Sequence, residues 1–82
     1  AIVLITARGE AIAEATRAQV ESFGIPVSAI YARPEGDNRV DWKVKTEALA
    51  KFLADGFVPV IAFDDKARNC EVFAPHCPTV LV

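Results

Sequence analysis

Short uninterrupted apolar runs alternate with amphipathic stretches along the whole chain, and this alternation constrains the fold more than any other feature. The runs are residues 2–5 (IVLI), 27–32 (VSAIYA), 58–63 (VPVIAF) and 79–82 (TVLV). Apolar runs of this length without alternation read as strands covered on both faces, the pattern of a parallel sheet. Between the first two, Ile12, Ala15, Val20 and Phe23 recur at helical spacing while Glu10, Glu14, Arg17 and Glu21 fall largely opposite. This is an amphipathic helix, stopped by Gly24 and Pro26. A second helix runs from Asp41 through Asp55, with Val44, Ala48, Leu49, Phe52 and Leu53 on one face, Asp41 placed as its N-cap and Gly56 ending it. Pro59 is tolerable only near the start or on the edge of the third strand. A short helix over about residues 67–73 precedes the last run. The order is βαβαβαβ: an α/β, three-layer, Rossmann-like parallel sheet of four strands with right-handed crossovers and helices on both faces.

The chain has 82 residues, which fits one domain spanning 1–82. At this size roughly 60% of the unfolded surface is buried on folding, so the core is thin. No run of 18 apolar residues is present, and no basic segment precedes the first apolar run. These features point away from a membrane protein or secreted precursor and toward the cytoplasm. Nine Lys and Arg against eleven Asp and Glu leave a net charge of -2, too balanced for coating nucleic acid electrostatically. Any polyanion contact is therefore local. Cys70, His76 and Cys77 match no standard zinc spacing, and the two thiols read as reduced and partly buried.

In doubly wound sheets ligands bind beyond the carboxyl ends of the strands. Thr6 and Arg8 follow the first run, Arg33 and the Gly36-Asp37-Asn38-Arg39 loop the second, and Asp64 and Asp65 close the third. The opposite rim, residues 24–26, 55–56 and 75–78, is almost without ionisable groups. Two adjacent carboxylates disfavour joint ionisation when close and desolvated, a conflict that Mg2+ removes by taking oxygen ligands. Aspartates are also favourable at any helix N-terminus, so the pair alone has an ordinary explanation. Arg8, Arg33, Arg39 and Lys45 supply forks and a point charge suited to phosphate. Trp42, one aromatic at the start of an amphipathic helix, reads as packing before base stacking. Taken together, a hydroxyl, a lysine and two acids near strand ends describe a Mg2+-dependent phosphoryl site.

The order Thr6, Lys45 on a helix, then Asp64-Asp65 after an apolar strand resembles the second, third and fourth signature motifs of the haloacid dehalogenase-like phosphohydrolases. Within that superfamily, ITARGE, ARPEGDNRVDWKVK and IAFDDKARNCEVF resemble the 3′-phosphatase domain of phage-type polynucleotide kinase-phosphatases. The resemblance implies that Thr6 binds phosphoryl oxygens and Arg8 contacts substrate phosphate. It makes Lys45 the group that neutralises an aspartyl-phosphate intermediate, with Asp41 ordering that site, and Asp64 and Asp65 the Mg2+ ligands. Arg33 and Arg39 fall on a substrate-facing loop.

One departure bears on function. The family's first motif, Asp-x-Asp after a central first strand, is absent, and Asp37, the first aspartate, lies in a loop. The chain begins where the family's second strand stands, so the sheet lacks its centre and the covalent route lacks its nucleophile. Three readings follow: part of a phosphatase, inactive alone and binding Mg2+ weakly, either a fragment of a longer chain or a product whose first strand comes from another polypeptide or a homodimer; a non-catalytic phosphate- or nucleic-acid-binding remnant; or an interaction module. Direct closure of the gap, with residues 2–5 pairing residues 58–63, is the expected arrangement because it needs no partner.

Overall fold

A computed structural model describes residues 2–82, and the elements follow the expected order βαβαβαβ. They are β1 (Ile2–Gly9), α1 (Glu10–Ser22), β2 (Val27–Arg33), α2 (Asp41–Ala54), β3 (Ala62–Asp64), α3 (Ala67–Phe73) and β4 (Thr79–Leu81). All ladders are parallel, as βα alternation requires. The strands form two pairs, β1 with β2 and β3 with β4. Among the described residues no ladder joins residues 2–5 to residues 58–63, the pairing that direct closure expects. The chain divides into two compact units, one through Arg39 and the other from Val40.

The first unit is a single β1-α1-β2 crossover. Its register runs Val3 to Ala29, Leu4 to Ile30 and Ile5 to Tyr31, then resumes only at Gly9 opposite Arg33. Four steps along β1 thus face two along β2, and the excess pushes Thr6 to Arg8 out of regular pairing. Helix α1 buries Ala13 but leaves Ile12 and Phe23 53% and 76% exposed, and Ala15 is exposed as well. The expected apolar face of this helix is therefore mostly uncovered. A sheet of two strands is narrower than the stripe that a helix presents, and only its middle finds a partner. Arg17, on the polar side, donates to the Val27 carbonyl at 3.0 Å.

The second unit holds the larger core. Helix α2 buries Val44, Ala48, Leu49 and Phe52, the expected face apart from Leu53, which lies at its margin. Phe73 of α3 and Cys77 complete the buried set, and Phe57 stacks on Phe52 with ring centroids 5.2 Å apart. Asp41 is the first helical residue and Val40 the N-cap, with no side-chain cap hydrogen bond, which corrects the capping expected of Asp41. Its carboxylate is turned to Lys66 instead. The third strand is also shorter than the run that predicts it. Pro59 has no N–H to give a ladder, β4 offers three partner residues, and residues 58–61 stay outside the pairing. No helix of the described residues is long and apolar enough to cross a membrane.

Candidate functional site

The sequence-predicted residues fall into two groups, one in each unit. In the second unit, Asp64 ends β3, Asp65 and Lys66 form the turn into α3, and Asp41 and Lys45 stand one helical turn apart on α2. Lys45 Nζ donates to Asp64 Oδ2, with the lysine side chain 12% and the aspartate side chain 3% exposed. Asp64 Oδ1 accepts from the Lys66 backbone N–H at 3.0 Å and lies 3.5 Å from Asn69 Nδ2. Burial pushes the Asp64 carboxyl up, but the Lys45 ammonium and the Lys66 N–H outweigh it, and its pKa falls below the ordinary value. Asp64 is thus a buried, ionised carboxylate with a donor on each oxygen.

Lys66 returns to α2, its Nζ 2.6 Å from Asp41 Oδ2, and the hydrogen bond to that carboxylate raises the lysine pKa. The two ion pairs form a reciprocal clasp in which α2 contributes one acid and one base and the β3–α3 turn contributes the others. Asp65, next to Asp64 in the chain, is exposed. Trp42 carries Arg68 over its ring at 4.2 Å and Lys43 at 5.6 Å, so its ring is engaged with cations of its own unit.

In the first unit the displaced stretch of β1 carries Thr6 and Arg8. Thr6 Oγ1 accepts from the Arg8 N–H at 3.1 Å, a local turn that occupies an amide the ladder leaves aside. Arg8 is exposed. Arg33, at the end of β2, spends its fork on main chain: Nε donates to the Ala7 carbonyl at 2.6 Å, and Nη1 to the Asp37 and Arg39 carbonyls at 3.1 and 2.5 Å. It ties the loop to the end of β1. That loop opens with a turn in which the Asp37 N–H bonds the Pro34 carbonyl and Gly36 takes a φ of 77°, which a side chain would resist. Arg39 closes on Asp37 through Nε and Nη2 and through its backbone N–H, and these bonds hold the Asp37 carboxyl down at about 2.

Asn69 and Lys66 are the participants that sequence reasoning missed. Asn69 is 3% exposed and shares the buried side of α3 with Phe73, four residues on. A polar residue at helical spacing from a core phenylalanine was the available signal. Both cysteines are free thiols: Cys77 is buried, and Cys70 Sγ lies 3.7 Å from the Asp64 carbonyl oxygen. Among the described residues no three His, Cys, Asp or Glu side chains gather as a metal cage.

The model of the polynucleotide kinase PNKP phosphatase domain matches residues 1–76. The chain belongs to this family. The family is a haloacid dehalogenase-like phosphatase family. No curated protein and no solved structure matches the chain.

Proposed function

We propose that this chain carries the phosphate- and metal-binding portions of a Mg2+-dependent phosphomonoesterase acting on polynucleotide 3′-phosphate ends, and that it does not turn over alone. The observation that carries the reading is the buried Lys45–Asp64 pair at the carboxyl end of β3, in a chain of a polynucleotide kinase phosphatase family. Burying such a pair is costly, and a well-packed apolar pair would serve stability as well, which favours retention for chemistry.

In this reading Thr6 and Arg8 take phosphoryl oxygens, and Arg39, with Arg33 fixing the loop backbone, lines the substrate side. Lys45 offsets negative charge that develops on the transferring group, and Asp41 keeps Lys66 clear of it. Asp64 and Asp65 are the residues to hold Mg2+. Their chemistry fits, since Mg2+ takes one or two carboxylates together with phosphate and water, and Asp64 is ionised at neutral pH. When bound, the ion neutralises phosphoryl oxygens. Binding by this chain alone is weak, because Asp64 is already held by Lys45.

No aspartate precedes Asp37 in this sequence, so the nucleophile of this reading is supplied from outside residues 1–82. The exposed Val58, Val60, Ile61 and Phe63 beside the short β3 ladder suit an added apolar strand. The same lack of a nucleophile favours a second reading, phosphate or nucleic-acid binding without hydrolysis. A cytoplasmic setting suits the two free thiols. Hydrolysis of an aryl phosphate and of a 3′-phosphorylated oligonucleotide with Mg2+ tests the first reading. The chain alone is expected to give no turnover, and to gain it when a strand bearing Asp-x-Asp is added. Turnover by the repurified chain that disappears in Asp64→Asn or Lys45→Ala would overturn its inactivity alone; oligonucleotide binding with no gain on complementation would favour the second reading.

A further inference from the structure

We propose that Asn69 is a positioning residue for Asp64, its side-chain amide setting the orientation in which that carboxylate meets Mg2+. The inference rests on the metal role proposed for Asp64. Asp64 and Asn69 are the two buried polar residues among those described, 7% and 3% exposed, and they face each other. Burying an amide is costly unless it is bonded, and the side of α3 that buries Phe73 would accept an apolar residue at lower cost. Asn69 Nδ2 approaches Asp64 Oδ1, the oxygen that also accepts from the Lys66 N–H, while Lys45 takes Oδ2.

The chemistry of the side chain matters here. A neutral amide adds no charge: a cation at this place would compete with a metal ion, and a carboxylate would repel Asp64. At 3.5 Å the contact is at the outer limit of hydrogen bonding, so it orients the carboxylate without anchoring it. Groups that orient a ligand from behind typically change metal affinity about 10- to 100-fold when removed.

The test is Mg2+ titration of the full 82-residue chain, followed by 15N NMR. In the wild type the Lys66 backbone amide and the Asn69 side-chain NH2 are expected to shift along one binding curve. Asn69→Leu, which keeps the branched shape and loses the donor, is expected to weaken Mg2+ binding about tenfold with the rest of the spectrum in place. Asn69→Ser keeps a donor and should recover part of the affinity; it also serves if the leucine variant does not fold. Unchanged affinity in a folded Asn69→Leu, or an Asn69 NH2 that stays still while Lys66 moves, overturns the proposal. Absence of any Lys66 response in the wild type removes the metal role itself and the inference with it, a failure seen before any variant is made.

Discussion

Lys45 and Lys66 each neutralise an aspartate across the same turn, but they differ in how far they stand from water. The side chains of Lys45 and Asp64 are 12% and 3% exposed, whereas those of Lys66 and Asp41 are 61% and 33% exposed. Removing one partner of a buried pair leaves a charge without compensation, at a cost of about 3 kcal/mol, while an exposed pair, screened by water, contributes little. Chemical denaturation should therefore show a large loss in Lys45→Ala and a small one in Lys66→Ala; equal losses would contradict the burial argument. A second residue-scale expectation concerns Asp37. Its folded pKa, about 2, is depressed below the ordinary 3.8, so the order that it lends the loop is present above the ordinary value and lost as pH falls through about 2. The Arg39 amide, bonded to Asp37 Oδ1, should keep its shift down to about pH 3 and move below it. Movement already near pH 4 would mean that the Arg39 contact does not hold in solution.

Helix α2 was legible from its spacing because four of its five apolar positions have something to pack against within their own unit. Helix α1 shows the same kind of spacing, but Ile12 and Phe23 have no such cover, and periodicity reports only the face that a helix offers, not the presence of a partner. The run 58–63 teaches the same point for strands: its composition is that of a buried strand, yet Val58 and Val60 are 81% and 79% exposed and only Ala62–Asp64 is laddered. Among the site residues, the Lys45–Asp64 ion pair was not legible, since residue type and spacing offered the lysine to a phosphoryl group and the aspartate to Mg2+. Arg33 was no more legible, since its turn toward main-chain carbonyls depends on the course of the loop, which side-chain type does not encode. The contrast between covered and uncovered apolar residues is measurable. Phe52→Ala, in the core of the second unit, should cost about 3 kcal/mol. Val60→Lys should change stability by less than about 0.5 kcal/mol and lower self-association at high concentration, because a charge on an exposed apolar strand blunts edge pairing. A strongly destabilising Val60→Lys would mean that this segment is covered in solution.

Across the whole molecule, buried residues are divided unequally between the two units. The unit through Arg39 buries Ala13 and Val27, whereas the unit from Val40 buries Val44, Ala48, Leu49, Phe52, Phe73 and Cys77 together with Asp64 and Asn69. The first has the longer ladder, but a hydrogen bond contributes only about 1 kcal/mol net, and a ladder of two strands with one half-covered helix gains little from apolar burial. Each large side chain fully buried is worth about 1.5–3 kcal/mol, so the three phenylalanine and leucine side chains of the second unit outweigh the extra ladder bonds. Local opening free energies follow such differences, and amide hydrogen exchange reads them residue by residue. Amides of α2, especially those of Ala48, Leu49 and Phe52, are therefore expected to exchange most slowly, and those of β1 and α1 to exchange at least tenfold faster, a gap of about 1.4 kcal/mol. If β1 amides were as well protected as those of α2, another strand or a second copy would have to be covering the first unit in solution. Repeating the exchange at several protein concentrations separates these cases, because cover by a second copy fades on dilution while cover from within the chain does not.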